Sequence, residues 1–156
     1  MHRFIIVAIL LVIFASCAFC QTSGLFLEAG FSPEASNRGD FRGAVGLFST
    51  NSGGQGGVLG SEIGLLRGEF YLAGYTEKSY SKRMVGAFGL RAAHRTGVAF
   101  LSEQERAGVL TGGSLSAFYG RWEVIGTYTA ISYVRDSVFR SASAWHIGLA
   151  TSIFWP

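Results

Sequence analysis

The sequence contains few cysteines and few prolines. Both cysteines, Cys17 and Cys20, lie near the N-terminus, and only 2 of the 156 residues are proline. If the N-terminal segment is removed, the rest of the chain has no cysteine. Packing or a membrane must then provide the stability that disulfides give to many exported domains. The scarcity of proline leaves turn formation to the 22 glycines and to polar residues.

A strong excess of one charge is also absent. The chain has 13 Lys and Arg against 10 Asp and Glu, for a formal net charge of +3, and its basic residues form no stripe. We therefore expect no nucleic-acid partner. Histidine is scarce as well, because only His94 and His146 lie beyond the N-terminal segment. This scarcity argues against a multi-histidine metal site, and no motif indicates a cofactor.

The longest apolar run lies at the N-terminus. Met1–Arg3 is a short positive segment, Phe4–Phe14 is apolar, and small residues follow. This order is typical of a cleavable signal peptide, and the run is shorter than the ~20 apolar residues of a membrane-spanning helix. We expect residues 1–20 to be a signal peptide and residues 21–156 to form a single domain. Phe14-Ala15-Ser16-Cys17 also resembles a bacterial lipoprotein box, so acylation of Cys17 is the alternative.

Alternation with a period of two dominates the rest of the chain and is clearest at the C-terminus. Bulky apolar side chains occupy Trp145, Ile147, Leu149, Ile153 and Trp155, while small or polar residues lie between them. Ten residue steps at ~3.3 Å, tilted by ~45°, project to about 23 Å, close to the ~25 Å apolar band of an outer-membrane barrel. The pattern predicts a lipid-facing stripe with a tryptophan at each membrane interface.

Nine segments show this alternation to some degree. They are residues 25–31, 41–48, 58–66, 69–76, 84–92, 97–104, 109–119, 123–134 and 145–155. Ser49–Gly57 reads as a loop, Arg67-Gly68 and Gly120-Arg121 as tight turns, and Arg135–Arg140 as a polar connection. The chain is thus predicted to be an all-β antiparallel meander. Because single-chain bacterial barrels have an even strand number, we expect eight strands, with ten as the alternative.

Together these features resemble small outer-membrane β-barrel proteins of the OmpA/OmpX type. They comprise the export signal, the alternating strands, the abundant glycine and aromatic residues, and the aromatic end Phe154-Trp155, after which Pro156 departs from the usual pattern. The resemblance implies an up-and-down transmembrane β-barrel in the bacterial outer membrane, with membrane lipid as its partner. We expect it to be a monomer.

If the apolar stripes face lipid, a set of polar side chains points into the barrel. The expected interior residues are Glu28, Arg42, Glu62, Arg91 and His146. Buried charges need partners, and an eight-stranded barrel is just wide enough for side chains to fill. We therefore expect a non-enzymatic barrel with a salt-bridged interior and a structural or loop-mediated role. A polar pathway for small solutes is the other use of such an interior.

The sequence also bears on three other functions. Arg38-Gly39-Asp40 resembles the integrin-binding tripeptide and would lie in the loop after the first strand, where it could meet an extracellular ligand. Outer-membrane lipid A deacylases use a histidine and a serine two residues apart, but Gly148 follows His146 at that spacing, so no catalytic residue is predicted. A soluble, secreted or periplasmic lipocalin-like barrel that binds an apolar small molecule is the main alternative.

Overall fold

The computed structural model describes residues 22–33, 39–102, 106–135 and 137–154. They form a closed barrel in which each strand pairs antiparallel with its sequence neighbour and the last strand pairs with the first. The strands are β1 (Thr22–Phe31), β2 (Phe41–Thr50), β3 (Gln55–Leu66), β4 (Glu69–Val85), β5 (Phe88–Leu101), β6 (Arg106–Tyr119), β7 (Trp122–Arg135) and β8 (Val138–Phe154). The predicted all-β, eight-stranded up-and-down barrel is confirmed. No helix in these ranges is long and apolar enough to cross a membrane. The predicted signal peptide and Cys17 lie outside the described residues.

The strand register gives the tilt of the barrel. Moving from Leu27 on β1 through the paired residue on each successive strand leads to Ser141 on β8. Leu27 itself pairs with Thr151, so one circuit advances ten residues along β8, from 141 to 151. The intermediate positions are Val45, Ser61, Gly74, Val98, Val109 and Ser132. With a rise of ~3.3 Å and a strand spacing of ~4.8 Å, this stagger tilts the strands by about 40°.

Two predicted strands were wrong, and they explain the count of nine. Met84–Ala92 is not one strand, because Gly86, with a φ of 56°, lies in the turn that joins β4 to β5. The segment Gly97–Gln104 is not a separate strand either, since β5 runs without interruption from Phe88 to Leu101. The polar stretch between the two predicted strands is part of β5: His94 is exposed on its outer face, and Arg95 is buried on its inner face.

Two of the four predicted connections are shorter in the structure, and the two tight turns are as predicted. Arg67 and Gly68 form the tight turn expected between β3 and β4, both with positive φ. The loop expected at Ser49–Gly57 shrinks to residues 51–54, where the Asn51 N–H donates to the carbonyl of Gln55 at 2.9 Å. The connection expected at Arg135–Arg140 is also shorter, because β7 runs to Arg135 and β8 starts at Val138.

The barrel has two distinct ends. We call the one that holds Thr22 and Phe154 the terminal end. The other, which carries the connections after β1, β3, β5 and β7, we call the distal end. Along each strand, successive side chains point alternately into the barrel and away from it. In β1, for example, Phe26 and Glu28 are buried, whereas Phe31 is 63% exposed.

Candidate functional site

The interior of the barrel holds a continuous set of ion pairs, which begins at Arg42 on β2. Its guanidinium donates through Nε and Nη2 to Glu62 Oε2 on β3, at 3.1 and 2.8 Å, and through Nη1 to Glu28 on β1. All three side chains are at most 2% exposed. The register brings these residues together, since Glu28 pairs with Ala44, which is two residues from Arg42, and Ala44 pairs with Glu62.

Arg95 on β5 crosses the interior and joins three carboxylates. Its Nη2 donates to Glu77 Oε2 at 2.7 Å and to Glu28 Oε2 at 3.2 Å, and its Nη1 donates to Glu62 Oε2 at 3.2 Å. The Arg95 side chain is fully buried. Because Glu28 lies on β1 and Arg95 on β5, this contact links opposite walls of the barrel.

Arg91 extends the network towards the terminal end. Its Nη2 donates to Glu77 and its Nη1 to Glu123 Oε2 on β7, the latter at 3.2 Å. The Arg91 guanidinium also stacks over the ring of Phe26, with its carbon 4.9 Å from the ring centroid. The seven charged residues therefore form a single cluster of four carboxylates and three guanidinium groups.

Hydroxyl groups add further hydrogen bonds to three of the four carboxylates. Tyr71 Oη donates to Glu62 Oε1 at 3.0 Å, Ser116 Oγ to Glu123 Oε2 at 2.7 Å, and Thr127 Oγ1 to Glu28 Oε1 at 2.8 Å. Such additional bonds offset the desolvation of buried ions. The cluster is thus hydrogen-bonded as well as ion-paired.

The structure brings together four of the five residues predicted for the interior. Glu28, Arg42, Glu62 and Arg91 all belong to the cluster. His146 is also buried, at 2% exposure, but neither of its ring nitrogens has a hydrogen-bond partner in the described part of the chain. His146 therefore lies inside the barrel without joining the network.

Sequence reasoning missed three charged members of the cluster. Arg95 fell between two predicted strands, Glu77 lay just beyond a third, and Glu123 began a strand whose alternation was weak. A period-two reading carried through these gaps would have found two of them, because Arg95 shares a face with Arg91 and Glu77 shares one with Tyr71. The missing signal was the continuity of β5 and β4 through polar sequence.

The interior offers little catalytic or metal-binding geometry. His146 has no hydroxyl or carboxylate within hydrogen-bond distance among the described residues, whereas a histidine that activates a nucleophile needs both a nucleophile and an orienting partner nearby. Within the same ranges, no three His, Cys, Asp or Glu side chains are grouped so that they could hold a metal ion. What the arrangement of the interior side chains provides is a set of buried, mutually compensating charges that fills the space between the strands.

Of the tripeptide Arg38-Gly39-Asp40, Gly39 and Asp40 lie at the distal rim, and Arg38 is outside the described residues. The Asp40 carboxylate accepts hydrogen bonds from the backbone N–H groups of Arg67 and Gly68, at 2.6 and 3.1 Å. Its backbone carbonyl also accepts from the Ser32 N–H at 2.7 Å. Asp40 thus braces the neighbouring turn, and its carboxylate is already engaged within the molecule.

Every strand exposes large apolar side chains on the outer surface. The predicted stripe residues Trp145, Ile147, Leu149 and Ile153 are 51%, 49%, 60% and 47% exposed, and Trp155 lies outside the described residues. Exposed apolar side chains on the other strands include Phe31, Phe41, Val45, Leu47, Leu59, Ile63, Leu72, Val98, Phe100, Val109, Leu115 and Val124. Extensive exposed apolar surface is typical of proteins that contact a membrane or another protein.

A cavity of about 640 Å³ opens at the terminal end. Arg91 and Glu123 of the network line it together with the rings of Phe26, Phe48 and Phe118, and Lys82, Arg83 and Arg121 lie among its lining residues. The cavity is thus a vestibule above the charged cluster. Ser152, on the inner face of β8, also borders this space.

Comparison with known proteins adds no assignment, because neither a protein-family model nor a curated protein sequence matches this chain.

Proposed function

We propose that this protein is a non-enzymatic β-barrel of the bacterial outer membrane, with a structural role or an interaction role exercised through its loops. One observation carries the proposal: the polarity of the barrel is inverted relative to that of a soluble protein. A cluster of charged side chains is buried inside, beside apolar residues such as Leu110 and Ile125, and large apolar side chains cover much of the outside. In water, such an exterior would be costly to expose, whereas in lipid it is solvated.

The inversion also favours a membrane barrel over a lipocalin-like carrier. A carrier of apolar molecules needs an apolar interior and a polar exterior. Here the central cross-section is occupied by Arg42, Arg95, Glu28 and Glu62, all almost completely buried. An apolar ligand placed there would have to displace ion pairs and leave charges without partners, which is strongly unfavourable.

The dimensions of the outer surface agree with the proposal. Transmembrane barrels tilt their strands by ~35–45° and carry an apolar band of ~25 Å between two aromatic girdles. In this barrel, Tyr119 and Trp122 are exposed towards the terminal end, and Phe41 and Trp145 are exposed towards the distal end. With the tilt derived from the register, the two groups lie about 20 Å apart along the barrel axis.

The interior supports a structural role. The cluster ties together β1, β2, β3, β4, β5 and β7, so it braces the barrel from within. The connections after β1, β3, β5 and β7 lie on the side away from the terminal end. In the usual orientation of such barrels, this side faces outward from the cell.

Fractionation of cells that export the full chain tests the proposal. We expect the protein in the outer-membrane fraction, resistant to carbonate extraction, with unboiled protein migrating differently from boiled protein on a denaturing gel. Release by salt or carbonate alone would overturn the proposal in favour of a soluble barrel.

A further inference from the structure

The apolar outer surface has a polar interruption on β4 and β5. Lys78 and His94 are exposed, point outward, and are directly paired across the two strands. Thr76 on β4 and Thr96 on β5 lie beside them, and Thr111 follows on β6; all three are exposed. We call these five residues the polar patch.

The register places the centre of the polar patch midway up the apolar belt. One circuit of the barrel advances ten residues over eight strands, so directly paired residues do not lie at the same height. From one strand to the next, the residue at equal height is displaced by slightly more than one position from the paired residue. The outward positions at about the height of Leu149, within about 4 Å along the axis, are Leu27, Val45, Leu59, Lys78, His94, Leu115 and Val124. Thr76 lies as close to this height as Lys78 does. In the described strands, the residues at this height that are polar are therefore Thr76, Lys78 and His94, side by side on β4 and β5.

A lysine at this height is costly if it faces lipid. At the bilayer midplane, an outward lysine reduces the folding equilibrium of a transmembrane barrel by about 30-fold or more, whereas near the interfaces the effect is small. Threonine and glycine, by contrast, are typical of surfaces where membrane segments contact one another closely and form hydrogen bonds. Gly74 adds to this character, since no atom lies within 4 Å of the position that a Cβ would occupy there.

The charge of Lys78 determines what can cover the polar patch. In the described strands, the acidic residues Glu28, Glu62, Glu69, Glu77 and Glu123 all occupy inward-facing positions. The outer wall of a second copy would therefore offer Lys78 no carboxylate. Lipid phosphates lie at the level of the headgroups and not at mid-height, so they are poorly placed as well.

We propose that the polar patch docks a membrane-embedded segment of a different protein, which presents a carboxylate to Lys78 and hydrogen-bonding groups to the threonines. This inference depends on the proposed membrane location. It assigns β4–β6 as the protein-contacting side of the barrel and leaves β7, β8, β1, β2 and β3 facing lipid.

Carbodiimide coupling in isolated outer membranes tests the proposal, because the reagent joins an amine to a carboxylate in direct contact. With a membrane-permeant carbodiimide, we expect peptide mass spectrometry to find Lys78 joined to an Asp or Glu of another protein. The control Lys78→Arg keeps the charge but has no primary amine, so this product should disappear.

Three outcomes would overturn the proposal: coupling of Lys78 to a second copy of this chain, coupling to lipid, or no coupling at Lys78. A photoreactive residue gives an independent reading. At Thr96 it should label protein, and at Leu149 on the opposite wall it should label lipid; equal lipid labelling at both positions contradicts the proposal.

Refolding of the full mature chain into vesicles of phosphatidylcholine tests the premise separately, because no partner is present. Lys78→Leu should raise the folding equilibrium by about 30-fold or more, and Leu149→Lys, at the same height, should lower it by a similar factor. Unchanged folding of Lys78→Leu would mean that Lys78 is not held at mid-height in lipid. If the proposed membrane location itself is wrong, the wild-type chain will fail to insert into these vesicles at all.

Discussion

At the scale of single residues, Arg95 is the member of the cluster whose replacement we expect to destabilise the barrel most. It is fully buried and bonds to carboxylates from β1, β3 and β4, and its guanidinium carbon lies 4.9 Å from the ring centroid of Tyr75. A buried ion pair contributes little net stability compared with an apolar pair, but the loss of one partner leaves the other charge uncompensated. Replacing Arg95 should therefore lower the free energy of unfolding, even though the ion pairs themselves contribute little net stability.

Arg95→Leu should destabilise the barrel by about 3–5 kcal/mol, because Glu77, Glu62 and Glu28 would all lose a partner. Urea titration of the folded protein, followed by tryptophan fluorescence, measures the effect. His146→Leu is the control: since His146 makes no hydrogen bond in the described structure, its free energy of unfolding should stay within about 1 kcal/mol of wild type. Equal stability of Arg95→Leu and wild type would mean that water solvates these carboxylates.

At the scale of single elements, β8 combines both environments of the barrel in one strand. Leu149 is 60% exposed on its outer face, and Ser152 borders the terminal vestibule on its inner face. The two positions are three residues apart and differ in what surrounds them. The strand therefore allows the environments of the two faces to be compared directly.

In the proposed membrane barrel, Leu149→Arg places a charge near the bilayer midplane, so it should impair insertion into lipid vesicles by about 2–4 kcal/mol. Ser152→Arg adds the same side chain on the face that borders the cavity of about 640 Å³, and we expect it to insert as wild type does. Protection of the barrel from added protease reports insertion. Efficient insertion of Leu149→Arg would show that this position does not face lipid.

The pairing of β8 with β1 depends on a close backbone approach at Gly148. A Cβ at this position would lie 2.1 Å from the Ala29 carbonyl oxygen and 2.6 Å from the Gly30 Cα. Gly148→Ala should therefore cost about 1–3 kcal/mol through overpacking, measured by thermal unfolding. Gly126→Ala on β7 is the matched control, since its nearest contact would be an ordinary 3.9 Å. Equal melting temperatures for the two variants would contradict the tight packing.

At the scale of the whole molecule, the charged cluster closes the barrel centre. Its ion pairs connect opposite walls, and an eight-stranded barrel leaves little room beyond its own side chains. We expect the protein, reconstituted in a planar bilayer, to produce no discrete conductance above that of the lipid alone. Stepwise channel currents that depend on the protein would support the polar-pathway alternative instead.

The sequence predicts the strands well where apolar and polar residues alternate without interruption. It predicts them poorly where a turn is apolar or where a strand contains successive polar residues. Trp145 to Ile153 alternate cleanly, so the outward face of β8 was readable. Met84-Val85-Gly86-Ala87-Phe88 is apolar throughout, and this uniform character concealed the turn at Gly86. The three successive polar residues His94, Arg95 and Thr96 indicated a gap between two strands. In the structure they continue β5, with His94 and Thr96 facing outward and Arg95 facing inward, but the inward side of Arg95 can be recognised only once its carboxylate partners are known.

The pairing of individual carboxylates with individual guanidinium groups could not be predicted from the sequence, for a separate reason. Which carboxylate meets which guanidinium depends on the stagger between strands, and that stagger accumulates over the whole circuit from β1 to β8. Glu28 and Arg95 are 67 residues apart and meet only because the barrel closes. Local periodicity assigns a residue to the inner or outer face of the barrel. It carries no information about which residues on the opposite wall lie at the same height.

The closure of β8 onto β1 has a consequence for how the molecule assembles. Every other strand pairing joins neighbours in the chain, whereas Gly24 pairs with Phe154 across almost the full length of the described residues. Local hairpins can form quickly, but a contact of such long range is entropically slow. We therefore expect the final and rate-limiting step to be the joining of two open strand edges, during which an assembly intermediate exposes unpaired backbone groups that attract other strands.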